Sequence, residues 1–208
     1  MTQLTKTLPL VLLLALGHAG WAQTAGTETD TGEAAAEETP DPLALAEGTE
    51  AAPEGPQLGD IYVDGEFGDW ELRCIRSEEE NDPCQLYQLL DDGNGNPVAE
   101  INIFPLTGEG PAAGATVITP LETLLTEQLS VSVDGGRAKK YPFSWCSQVG
   151  CFARLGFSND DVNAFKRGVN ATLTIVPVAA ADQKVNLNVS LKGFTAAFTE
   201  VSARGPAQ

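Results

Sequence analysis

The chain has almost no histidine. His18 is the only one among 208 residues, and it lies in a leader that is expected to be removed. A mature protein without imidazole has no Ser-His-Asp triad, no Cys–His dyad, and no zinc or haem held by histidine. Basic residues are scarce as well. There are 12 Lys and Arg against 29 Asp and Glu, a net charge of -17. Such a surface repels phosphates, which argues against general binding of nucleic acid or anionic membrane. No apolar run reaches the ~20 residues that span a bilayer. The four cysteines contain no Cys-x-x-Cys pair, which removes the thioredoxin-type and zinc-knuckle signatures. The serines have no neighbouring base to activate them as nucleophiles.

What is present begins with an address. Residues 1–22 read as a secretory signal: Lys6 is the positive start, Leu8 to Leu16 is the apolar stretch, and Gly20 and Ala22 are small residues at the cleavage point. No cysteine follows Ala22 closely, so a lipid anchor is not expected. Residues 23–58 then carry nine acidic residues, no basic one and no aromatic one. Such a segment buries too little apolar area to offset its chain entropy and is expected to be a disordered acidic linker. An interaction tail that docks on a basic partner is the other reading.

Residues 59–208 hold the only segment able to form a core, and its pattern has a period of two. Trp70 to Cys74 alternates apolar and charged. Cys84 to Leu89 is β-prone. Asp91 to Asn96 is a run of turn formers that leads into Val98, Ile101 and Ile103. Leu129, Val131 and Val133 alternate with serines, and after Asp134-Gly135-Gly136 the alternation resumes at Tyr141, Phe143 and Trp145. Residues 171–178, 184–191 and 193–201 predict three more strands. One helix is predicted after a cap at Ser158 or Asn159, with Asp160 and Asp161 in its first turn, Lys166 and Arg167 in its last, and Gly168 as its stop. The expected class is an all-β sandwich with one short helix.

The cysteines fall into two local pairs, Cys74/Cys84 and Cys146/Cys151. An even count in an exported chain implies disulfides. Of three possible connectivities the two local bridges are favoured, because Ser147 to Gly150 is short enough for a hairpin loop and Cys84 opens the strand after the one that Cys74 ends. Trp70, Trp145 and Phe152, beside three of the cysteines, are expected to pack on the bridges in the core.

Other constellations have a plain reading beside the chemical one. Asp92-Gly93-Asn94-Gly95-Asn96 starts like a calcium loop, but Pro97 stands where glycine is wanted and Ile103 where the bidentate glutamate belongs. A hairpin turn explains it. Glu78-Glu79-Glu80 and Asp82 form an acidic run in an exposed loop, where nothing separates their pKa values for acid–base work. Arg137, Lys139 and Lys140 form the one basic cluster, a possible contact patch for an acidic partner. Lysines that guard an edge strand against aggregation are the commoner reason for such a cluster.

From about Phe67 to Val201 the chain resembles the invasion-associated locus B family of exported bacterial proteins. The resemblance is carried by Phe67-Gly68-Asp69-Trp70-Glu71-Leu72-Arg73-Cys74, Pro83-Cys84-Gln85-Leu86, Val133-Asp134, Cys146 to Cys151, and Val189-Ser190-Leu191-Lys192-Gly193-Phe194-Thr195-Ala196-Ala197. It implies a periplasmic or surface-exposed sandwich of immunoglobulin-like architecture. Members are associated with host-cell invasion in some pathogens, and the resemblance supplies no cofactor and no catalytic residue. The expected function is a non-enzymatic envelope or surface protein acting through an unknown protein partner, with no membrane span after signal cleavage. A periplasmic enzyme or chaperone-like factor using carboxylates is the alternative, and a deep cleft lined by two buried acids would favour it.

Overall fold

Alternating side chains and closely spaced turn residues build strands throughout the domain. The computed structural model describes residues 55–79 and 81–205, so the expected signal sequence and most of the expected acidic linker lie outside the described residues. Eleven strands are seen: β1 Ile61–Phe67, β2 Trp70–Ile75, β3 Cys84–Asp91, β4 Pro97–Pro105, β5 Ala113–Thr119, β6 Leu129–Val133, β7 Lys139–Tyr141, β8 Phe143–Ser147, β9 Gly150–Phe157, β10 Asn170–Ile175 and β11 Val185–Ser190. Helix α1 spans Asn159–Arg167 and helix α2 spans Phe194–Ala203. All pairings are antiparallel. A seven-stranded sheet runs β1-β2-β3-β4-β5-β9-β8, and a four-stranded sheet runs β11-β10-β6-β7. The expected β-sandwich is what forms.

Period two sorts the faces. Trp70, Leu72 and Cys74 of β2 and Cys151, Ala153, Leu155 and Phe157 of β9 are all buried on the inner face of the large sheet. Leu129 and Val131, Ala171, Leu173 and Ile175, and Leu187 and Val189 meet them from the small sheet. The interior is tied by a chain of edge-on aromatic contacts. Tyr141 meets Phe157 at 6.2 Å, Phe157 meets Phe165 at 4.9 Å, Phe165 meets Phe194 at 5.5 Å, and Phe194 meets Trp70 at 5.4 Å. That chain links both sheets to both helices.

Local capping explains α1. Ser158 is its N-cap, and its hydroxyl accepts from the Asp161 N–H while the Asp161 carboxylate accepts from the Ser158 N–H. The Gly168 N–H closes the last turn on the Ala164 carbonyl. The Asp91–Asn96 run is a hairpin turn. Asp92 Oδ1 accepts from the Asn94 and Asn96 N–H groups and Oδ2 accepts from Asn96 Nδ2. These hydrogen bonds, chiefly the one from Asn96, hold the Asp92 carboxyl down to about 2.

Three expectations need correction. Residues 193–201 are not a strand but the start of α2, so there are two helices rather than one. Phe194 and Phe198 satisfy either period, and Ala197 and Val201 decide it: all four are buried at the i, i+3, i+4, i+7 spacing of a helix face. Residues 141–145 are not one strand. Pro142 separates β7 in the small sheet from β8 in the large one, because proline has no N–H to continue a ladder. Neither Phe152 nor Trp145 is in the core. A register shift between Phe143 and Trp145 sets Trp145 opposite Phe152, where it stays 47% exposed and stacks on that ring at 4.8 Å.

Candidate functional site

Two of the segments that carry the family resemblance, residues 67–74 and 189–197, meet at one place. The β1–β2 turn presses on the entrance to α2: the Asp69 N–H donates to the Lys192 carbonyl, and the Gly68 and Gly193 backbones are in close contact. Trp70 Nε1 donates to the Ser190 carbonyl at 2.8 Å. Gln88, buried on β3, donates from Nε2 to the Ser190 and Asp69 carbonyls and accepts from the Ser190 N–H. The Ser190 hydroxyl donates to Asp69 Oδ2 at 2.7 Å. Asp134 likewise ties the β6–β7 turn to β10, accepting from the Val169 and Asn170 N–H groups. Every polar group of this clasp is spent on another part of the fold. Its role is to join the two sheets.

Both disulfides are the local ones, Cys74–Cys84 between β2 and β3 and Cys146–Cys151 between β8 and β9. No cysteine is free. The first bridge is buried, and Arg204 lies over it with Nη1 3.9 Å from each sulfur while pairing with Asp64 and Glu200. In the second bridge Cys151 is buried and Cys146 is exposed on the edge strand β8.

The basic cluster is partly spoken for. Lys139 Nζ donates to both Asp161 oxygens, at 2.6 and 2.8 Å, and that bond raises the lysine pKa. Burial works against ionisation of Asp161, but Lys139 and the Ser158 donors outweigh it and hold the carboxyl below its ordinary value. Lys140 sits 3.9 Å from a Glu127 carboxylate oxygen. Arg137 has no ion pair among the described residues and lines a cleft of about 230 Å³ with Val133, Tyr141 and Phe165. The lysines lie on β7, an edge strand. The acidic run has a local task too. Asp82 accepts from the Tyr62 hydroxyl, Arg76 Nη1 and the Ser77 N–H, and Tyr62 first of all lowers its pKa.

The sequence analysis missed the outer face of the large sheet. In register across five strands stand Leu89, Glu100, Ile118, Phe152 and Trp145. Leu89, Val98, Glu100, Ile118, Pro120 and Val149 line an open cleft of about 450 Å³. A second hollow of about 280 Å³, around Arg73, Tyr87 and Thr116, shares Glu100 and Ile118 with it. The Arg73 guanidinium lies 3.2 Å from the Tyr87 ring centroid and pairs with Glu71 at 2.7 Å. Burial, followed by the charge of Glu100, pushes the Tyr87 phenol up. The available signals were a broken alternation at Leu89-Leu90 and an apolar Val149 inside a tight turn. Each of the clefts described holds a single carboxylate, which is too few for a paired acid and base. Among the described residues no His, Cys, Asp or Glu cluster is placed to hold a metal, and no helix is long and apolar enough to cross a membrane.

Comparison with known proteins gives a consistent result. The family described as invasion associated locus B (IalB) protein matches residues 70–202. An invasion protein B homolog of Brucella abortus strain 2308 is 28% identical over 138 residues, covering 66% of this chain and 78% of the relative. Its counterpart in Brucella abortus biovar 1 strain 9-941 matches equally. The crystal structure of invasion associated protein B from Bartonella henselae superposes with a TM-score of 0.57 at 21% identity, covering 67% of this chain and 94% of that one, and so shares its fold. The matched span runs from Trp70 to the last turn of α2 and includes both disulfides and most of the clasp, and this chain belongs to the invasion associated locus B family.

Proposed function

We propose that this chain is an exported, non-enzymatic protein of the cell envelope or surface that acts by contacting other proteins. The observation that carries this reading is the outer face of the large sheet. There Leu89 is 54% exposed and Val149 75% exposed beside a half-exposed Trp145, an arrangement that a freely soluble monomer does not need. Two disulfides and no free thiol fit an oxidising compartment outside the cytoplasm. The names of the relatives, invasion proteins, fit a role at the cell exterior. On this reading residues 1–22 are the export signal, 23–58 an acidic tether, and 59–208 the working domain. Arg137, at the mouth of the smaller cleft and flanked by Lys139 and Lys140, is a second contact point.

A photo-cross-linking residue placed in the living bacterium at Val149, at Arg137, or at Asn188 on the small sheet tests the reading. Discrete protein adducts are expected from position 149 or 137 and none from 188. The absence of adducts from both 149 and 137 overturns it.

A further inference from the structure

We propose that the outer-face cleft receives a short polypeptide segment carrying one Lys or Arg among apolar side chains, with Glu100 as the group that meets its charge. This rests on the contact reading above and gives the partner a chemistry.

The register row from Leu89 to Trp145 crosses β3, β4, β5, β9 and β8. At ~4.8 Å between strands it is roughly 19 Å long, which matches about six residues of extended chain. Along that row the side chains are apolar except at one point. Glu100 stands between Leu89 and Ile118 on the cleft floor. It makes no ion pair among the described residues; its polar contacts are a hydrogen bond with the Tyr87 side chain and one from Asn102 Nδ2 at 3.5 Å. The nearby cations are not available to it. Arg73 is engaged by Glu71 and the Tyr87 ring, and Arg154 leaves β9 two strands away without pairing to Glu100.

Occupancy by a neutral apolar segment would strip water from a carboxylate that has hydrogen bonds but no cation beside it, which is costly. An anionic segment would be repelled there and by the whole chain, whose net charge is -17. A cation flanked by apolar side chains meets both requirements, and the same net charge draws it in. The Trp145–Phe152 stack ends the row on β8 and β9 with a half-exposed ring that the segment would cover.

Three labelled nine-residue peptides of apolar and serine residues, centred on Lys, norleucine or Glu, are titrated into the full chain and followed by anisotropy. The Lys peptide should bind about tenfold tighter than the norleucine peptide, a difference of ~1.4 kcal/mol, and the Glu peptide weakest. Glu100→Gln should bring the Lys peptide to the norleucine level with the melting temperature unchanged. Leu89→Ser with Val149→Ser should weaken all three. Equal affinity for the Lys and norleucine peptides, or a Lys preference that survives Glu100→Gln, overturns the inference. If no peptide binds while position 137 still cross-links a partner, the cleft inference falls and the contact reading stands. If positions 137 and 149 both form no adduct, the contact reading itself falls.

Discussion

Gly193 occupies a position that no other residue fits. Its φ is +86°, and a Cβ there would overlap the Phe67 carbonyl. Facing it, Gly68 has φ +64°, and a Cβ would lie 2.6 Å from the Lys192 carbonyl oxygen. The two glycines let the β1–β2 turn and the α2 entrance touch, which brings Asp69, Gln88 and Ser190 within hydrogen-bond reach. Gly193→Ala is therefore expected to cost roughly 2–4 kcal/mol, a drop of the order of 10 °C in Tm. A thermal melt checks it, and a shift under ~3 °C would show that the contact yields. Gln88→Leu is expected to cost about 1–3 kcal/mol, since it leaves the part-buried Ser190 N–H without its acceptor. Gly68, Asp69, Ser190 and Gly193 are among the residues that carry the family resemblance. Read in sequence they look like a motif in search of a chemistry. In space their polar atoms face one another, and they serve the fold.

The two helices and the two bridges can be tested as units. In α2, Ala196 is exposed while Phe194, Ala197, Phe198 and Val201 are buried. Ala196→Gly should then cost about 1 kcal/mol, the helical penalty for glycine, measured by denaturant unfolding. An unchanged midpoint would mean that the segment is not held as a helix. The bridges differ in access. Cys74 and Cys84 are 0% and 3% exposed, whereas Cys146 lies open on an edge strand. Thiolate exchange needs a path to sulfur, so limited reduction followed by alkylation should label Cys146 and Cys151 before Cys74 and Cys84. The opposite order would show that the hairpin protects its bridge better than the core does. Replacing Cys146 and Cys151 together by Ser should cost roughly 2 kcal/mol through the unfolded chain.

Acid sensitivity belongs to the domain as a whole. Asp82, Asp92 and Asp161 are all held below the ordinary carboxylate value by hydrogen bonds of the fold. A depressed carboxylate adds stability that is complete above its unfolded pKa of about 3.9 and is lost as pH falls through the folded value. Self-repulsion among 29 acidic residues eases over the same range and pulls the other way. The clean comparison is therefore wild type against Asp82→Asn with Asp161→Asn. Their difference in Tm should shrink between about pH 5 and about pH 2, and a constant difference would remove these carboxylates from the account.

Much of this architecture is a property of neighbouring residues along the chain. Alternation marks which side chains face inward, the Ser158–Asp161 spacing caps α1, Asp91 to Asn96 turns the chain, and short separations pair the cysteines. Such features depend on contacts within a few residues, so they are legible before folding is considered. Whether Phe194 and Phe198 sit on a strand or a helix is not local. Both periods bring them to one side, and the face that Phe165 and Trp70 offer selects the helix. The split at Pro142 and the place of β8 beside β9 depend on which sheet edge each short strand meets. The cleft around Glu100 is made by side chains from β3, β4, β5 and the β8–β9 turn, each of them ordinary in its own strand. Folding alone puts them side by side, because strand order, unlike side-chain alternation, is set by contacts between residues far apart in the chain.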